Sequence, residues 1–248
     1  MKPAFEGRIA IVTGGASGIG AATARMLDAE GATVWIADRN LSGARRVAAC
    51  LERGHAVRID VRDRKSVKTA IAGILRAARR IDVLVNCAGI MTTGEFTDRP
   101  VSDWDAVCAT NLSGTVYCCH AVAPAMIRNG FGRIVNMASV AAVKGGGLFG
   151  NVAYGATKAG VVALTKGLAR ELGPHGITVH AIGPAVTETP MVAHMITPAL
   201  RKSVLPRFPA GRFATPEEIA GLIRFLVGGE ADYMTGQTVF IDGGFLTR

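Results

Sequence analysis

Residues 8–38 read RIAIVTGGASGIGAATARMLDAEGATVWIAD, and this stretch decides the fold. An apolar run at 8–12 reads as a buried strand. A glycine-rich turn follows, and a helix over 18–30 is closed by Gly31. A second apolar run, 32–38, is the next strand. A strand, a tight turn, a helix and a strand in about 30 residues form one right-handed crossover unit of a parallel sheet.

The pattern repeats outward from there. Helix 42–53 and strand 55–60 follow, then helix 65–78 and strand 81–86. A single long helix is expected over 102–129, then strand 132–139, helix 152–172, strand 176–182, helix 216–227 and strand 237–242. Seven strands alternating with helices, with no Pro- or Ser-rich linker, predict an α/β chain. We expect one doubly wound Rossmann-type domain over residues 1–248. The longest connection, about 186–214, mixes apolar side chains with prolines and is expected to act as a substrate lid.

Composition narrows the function classes. Of 248 residues, 49% are hydrophobic and 19% charged, which fits a packed core and not a disordered chain. The N-terminal MKPAFEG lacks an apolar core of its own, so no signal peptide is expected, and no apolar run is long enough for a membrane span. A cytoplasmic protein is expected. The net charge of +9 is spread over helix faces and interrupted by Asp60 and Asp63, and aromatics are only 6%. Nucleic-acid binding is therefore disfavoured. Five cysteines without framework spacing fit a reducing compartment. Cys118 and Cys119, side by side in a helix, point about 100° apart and read as small core residues, not as a metal site.

Gly14, Gly18 and Gly20 fall between the first strand and the first helix. There they let a phosphate approach the backbone N–H groups at the helix N-terminus, and dinucleotide binding is the expected use. Asp38 ends the second strand 18 residues after Gly20, where a carboxylate accepts from ribose hydroxyls and repels a 2′-phosphate. NAD is therefore favoured over NADP, although the neighbouring Arg39 opposes that choice. Tyr154 and Lys158 share one face of a helix, where an ammonium beside a phenol is expected to lower the phenol pKa and make a general acid/base.

The chain resembles the short-chain dehydrogenase/reductase family over nearly its whole length. The residues that carry the resemblance are TGGASGIG at 13–20, Asp60-Val61, Asn86-Cys87-Ala88-Gly89, Asn111, Ser139, Tyr154-Gly-Ala-Thr-Lys158, and the stretch from Pro184 to Thr189. The resemblance implies that Tyr154 exchanges a proton with the substrate oxygen, Ser139 hydrogen-bonds that oxygen, and Lys158 holds the nicotinamide ribose. It also implies that Asn111 anchors a water. On the cofactor side it assigns Gly14, Ser17, Gly18, Ile19 and Gly20 to the pyrophosphate turn and Asp60 and Val61 to the adenine. Cys87, Ala88 and Gly89 would line the ribose path, and Pro184, Thr187 and Thr189 would meet the carboxamide. Departures from the family pattern are Cys87, His180 and Ala185. Ser139 and Tyr154 are also two positions further apart than usual, absorbed by a glycine-rich insert at 144–150.

The expected activity is hydride transfer between NAD(H) and a secondary alcohol or ketone, such as a polyol, sugar or cyclic alcohol. The alternatives are an NADPH-dependent 3-oxoacyl-carrier-protein reductase, which Asp38 and His175 oppose, and a non-catalytic dinucleotide sensor, which would not need Ser139, Tyr154 and Lys158 together. A serine hydrolase is excluded by the lack of a Gly-x-Ser-x-Gly elbow. His194 reads as a solvated lid residue. Small residues along helix 152–172 permit close helix approach, and the resemblance implies that helices 102–129 and 152–172 pair across a two-fold axis in a homotetramer, with a dimer as the alternative.

Overall fold

The computed structural model describes residues 4–247. Strands β1 (Ile9–Thr13), β2 (Thr33–Asp38), β3 (Gly54–Arg58) and β4 (Val83–Asn86) lie in one sheet with β5 (Gly132–Met137), β6 (Ile177–Pro184) and β7 (Thr238–Ile241). The order is β3-β2-β1-β4-β5-β6-β7, and every pairing is parallel. Strand order reverses between β1 and β4. Ile11 on β1 faces Trp35 on one side and Leu84 on the other, and the crevice at the carboxyl ends of these strands is where such sheets bind ligands.

Covering helices on both faces explain why the central strands are buried on both sides. α1 (Gly18–Ala29), α2 (Leu41–Ala48) and α10 (Pro216–Val227) pack on one face, burying Val12, Val34, Val85 and Ile223 together. On the other face α3 (Arg64–Ala78), α5 (Gly114–Asn129) and α7 (Val152–Leu172) bury Ile11, Ile74, Leu84, Val122 and Leu172. All six residues of β5 and all eight of β6 are buried, whereas the edge strands β3 and β7 are not. Cys118 and Cys119 lie inside the second core. No helix among the described residues is long and apolar enough to cross a membrane.

The structure corrects two helices. The segment expected as one helix over 102–129 is α4 (Val101–Val107), a π-helical stretch (Cys108–Ser113) and then α5. Gly114 N–H donates to the Ala109 carbonyl, five residues back. The cause is tertiary: the Asn111 side chain is held by the backbone of Ile90, as described below. The helix expected over 42–53 stops at Ala48, because the Asp28 carboxylate accepts from the N–H groups of Glu52 (3.0 Å) and Arg53 (2.8 Å) and fixes them outside the helix. The strands keep their expected order with small shifts at their ends; β6 runs on to Pro184 and β3 stops at Arg58. The connection over 186–214 carries α8 (Pro190–Ala193) and α9 (Pro198–Val204), and a bridge between Thr187 and Ala214 pins its base. α6 (Ala141–Lys144) opens the glycine-rich insert.

Candidate active site

The turn after β1 is shaped by what surrounds it. Gly14 has φ +66, and a Cβ there would stand 2.7 Å from the Ala88 nitrogen, so β1 and β4 leave the sheet with their backbones nearly touching. A Cβ on Gly20 would stand 2.4 Å from the Gly14 carbonyl oxygen, which seats α1 directly on the turn. Ser17 precedes α1 without capping it through its side chain, so the first N–H groups of the helix stay available at the crevice. Asp38 knits the turn to the next element: its carboxylate accepts from Ala16 N–H (3.1 Å) and Asn40 N–H (2.9 Å). Each oxygen keeps accepting capacity toward a cleft that Gly14, Asp38, Asp60, Val61, Arg62 and Ala88 line.

These features fit a dinucleotide: an uncapped helix start for the pyrophosphate, and a carboxylate at the adjacent strand end for the ribose. Asp60 has a partner within the chain, since Arg62 donates to it from Nη2 (2.7 Å) and Nε (3.0 Å) and holds its pKa below the usual carboxylate value. At Asp60 the cleft therefore presents an Asp60–Arg62 pair, not a bare carboxylate. Ala88 N–H donates to the Thr13 hydroxyl (3.3 Å) and Cys87 N–H to the Thr13 carbonyl (3.2 Å). The Cys87 thiol is pushed up to about 12 by burial, so it is neutral at physiological pH.

Ser139 follows β5, and Tyr154 and Lys158 stand on the first turns of α7. Asn151 starts that helix, accepting from Tyr154 N–H (3.3 Å) and from the Thr92 hydroxyl (2.9 Å). Ser139 Oγ accepts from Ala141 N–H (3.1 Å) and donates to the Pro184 carbonyl (3.5 Å), and it lies near enough to Tyr154 to act on its pKa. The Lys158 ammonium lies 5.5 Å from the Tyr154 ring centroid and donates to the Met137 carbonyl (2.6 Å). It has three donors, so two remain after that bond. Desolvation pushes the Lys158 pKa down to about 8.

One expectation is corrected at this point. The pKa of Tyr154 is raised, because burial outweighs the lowering by the neighbouring Ser139 hydroxyl, whereas the helical spacing predicted a lowering by Lys158. The Asn111 carboxamide is engaged within the chain: its Oδ1 accepts from Ile90 N–H (2.9 Å), and its Nδ2 donates to the Ile90 carbonyl (2.9 Å) and the Thr157 hydroxyl (3.3 Å). Asn111 thus positions the 88–92 loop against α7, and both it and Lys158 sit beside Gly89.

Ile19, Cys87, Gly89, Pro184, Thr187 and Thr189 line the same cleft as Ser139, Tyr154 and Lys158. Thr189 lies over the start of α1, where a Cβ on Gly18 would be 3.3 Å from it. His194 is exposed. The insert and the lid supply apolar walls through Leu148, Phe149 and Met191. Two further wall residues, Phe208 and Phe245, escaped the sequence reading. The apolar Phe245-Leu246 beyond the last strand was the available signal for the second.

A family model described as enoyl-(acyl carrier protein) reductase matches residues 14–246. The chain is 40% identical to the 3-oxoacyl-[acyl-carrier-protein] reductase FabG of Thermotoga maritima over 246 residues, covering 98% of this chain and 99% of that one. It is 41% identical to the D-threitol dehydrogenase of Mycolicibacterium smegmatis over 251 residues, covering 98% and 95%. A solved short-chain type dehydrogenase/reductase from Mycobacterium marinum superposes with a TM-score of 0.92 at 31% identity, covering 100% of this chain and 98% of that one. The chain belongs to the short-chain dehydrogenase/reductase family. It is an oxidoreductase of the class that uses nicotinamide dinucleotides.

Proposed function

We propose that the protein interconverts a secondary alcohol and a ketone, with Tyr154 as general acid/base and NAD as the preferred cofactor. The observation that carries this reading is the convergence of Ser139, Tyr154 and Lys158 on one cleft, with the Lys158 ammonium 5.5 Å from the Tyr154 ring, and Ile19 of the glycine turn lines the same cleft. The nicotinamide, when bound, supplies or accepts the hydride at the substrate carbon.

Tyr154 handles the matching proton. In reduction its hydroxyl gives a proton to the ketone oxygen as the carbon gains the hydride; in oxidation the alcohol proton returns to it as the hydride and its electron pair leave. Burial keeps the phenol protonated at neutral pH, which suits it to the acid role. Ser139 donates to the same oxygen and stabilises its developing charge. Lys158, with two donors left over from its bond to Met137, holds ribose hydroxyls and keeps a cation near the phenol. Asp38 lines the cleft and supports NAD, since a carboxylate there would accept from ribose hydroxyls and oppose a 2′-phosphate; Arg39 and Arg62 line the same cleft and weigh the other way. A second reading, reduction of 3-oxoacyl thioesters with NADPH, draws support from the FabG relative.

The experiment is a set of steady-state assays with NAD(H) and NADP(H) over alcohols, ketones and 3-oxoacyl thioesters, with Tyr154→Phe alongside. Turnover with NAD is expected, and the variant should lose about 10²–10⁴-fold in kcat while cofactor affinity is kept. A variant that retains more than about a tenth of the rate overturns the acid/base role. A preference for NADP overturns the Asp38 argument and points to Arg39.

A further inference from the structure

The cleft beyond the reacting groups has an unusual chemical uniformity. Its polar side chains are gathered at the reacting end and the adjoining Thr187–Thr189 edge, and Lys158 is the one charged residue among those lining it. The rest of the wall is hydrocarbon and aromatic, built by Leu148, Phe149, Val186, Met191, Phe208 and Phe245. Glu188, the nearest acidic side chain of the lid, is turned to an ion pair with Arg201. The cleft has a volume of about 140 Å³.

One wall is thin. Leu148 and Phe245 line the reactive cleft on one side, and on the other an outer groove that Lys144, Leu200 and Arg207 also line. Phe245 is fixed in place by stacking on Phe208 (5.1 Å between centroids) and by the Lys144 ammonium 5.6 Å from its ring. Leu148 comes from the glycine-rich insert and is only half-buried.

We infer that the substrate is an uncharged ketone or secondary alcohol with a compact hydrocarbon body, alicyclic or branched, and that Leu148 and Phe245 set its size limit. This rests on the hydride-transfer reading above. A polyol of similar size would bury each further hydroxyl against carbon without a partner, which an apolar wall does not compensate. An extended acyl chain would meet the Leu148–Phe245 partition.

The test measures kcat/KM with NAD(H) for three arms: cyclohexanol and cyclohexanone, a four-carbon polyol, and a 3-oxoacyl thioester. A tert-butyl-substituted cyclohexanone serves as the bulky probe. The alicyclic pair should exceed the polyol by about 100-fold. Leu148→Ala should raise the ratio of bulky to unsubstituted ketone by about tenfold, and Leu148→Val by less. A polyol or thioester used as well as the alicyclic pair overturns the inference and leaves the hydride reading intact. A bulky-to-small ratio that moves in neither variant, with both folded by thermal melt, removes the partition as the size limit. No turnover in any arm, with cofactor still bound, sinks the hydride reading along with it.

Discussion

Lys158 carries an ammonium group where only 4% of the residue meets solvent, and one carbonyl, that of Met137, is its recorded hydrogen-bond partner. Its native pKa of about 8 lies below the 10.5 of a solvated lysine. Between those two values the unfolded chain binds the proton and the native one does not, so this residue makes stability rise with pH across that window. Below pH 8 the full burial cost, about 3 kcal/mol, is present. Urea unfolding of the native protein and of Lys158→Met from pH 7 to 10.5 should show the variant's advantage shrinking by about that amount as pH rises. A constant difference would mean that the lysine is not desolvated. The pairing of Tyr154 with Lys158 is legible in the sequence, because four positions make one helix face. The burial of Lys158 is not: it comes from Met137 of β5, from Gly89 and from the Asn111-bound loop, and desolvation likewise reverses the expected direction for Tyr154.

The elements that build the site are joined by contacts too close for a side chain. α7 begins against the insert, and a Cβ on Gly155 would stand 2.5 Å from Gly145 and Gly146 backbone atoms. Gly155→Ala must therefore displace the loop that carries Leu148 and Phe149, and should cost about 1–3 kcal/mol. Gly221→Ala in α10, where nothing lies within 4 Å of the added methyl, should instead stabilise by about 0.5–1 kcal/mol. Thermal melts of the two variants should move in opposite directions, and a Gly155→Ala melt at or above the native one would refute the contact. Periodicity shows the succession of strands and helices along the chain well, and α10 spans the residues expected because Thr215, Pro216 and Glu218 form a local start signal. It misses the break at Cys108–Ser113, because nothing near Asn111 in sequence announces that its carboxamide will be used by Ile90. The end of α2 is likewise decided by Asp28, two elements away.

At the scale of the whole molecule, the apolar surface is unevenly placed. Among the ten large hydrophobic residues exposed in the described chain, Val101, Trp104, Val116, Ile127 and Val152 lie on α4, α5 and α7. α7 adds Ala156, Ala159 and Ala163, exposed and spaced on one helical face. Two of the small residues expected to serve helix pairing are turned inward instead: Gly155 meets the insert, and Gly160 meets Leu112. What remains is the exposed stripe of Ala156, Ala159 and Ala163 on α7, with Val152 before it and Lys166 after it, while Lys158 is buried. A second copy of the same face suits such a surface, since small residues let two helices approach closely and a two-fold axis brings like to like. Two such contacts about perpendicular axes close a tetramer, and we infer that assembly, with α7 braced from outside while its inner face holds Tyr154. Light scattering at micromolar concentration should give about four times the 25.8 kDa chain mass. Ala159→Arg, which sets a charge in the middle of the stripe, should lower that mass without unfolding the chain. A native protein that runs as a fully active monomer would rule the assembly out, and an unchanged mass in Ala159→Arg would move the interface to another face.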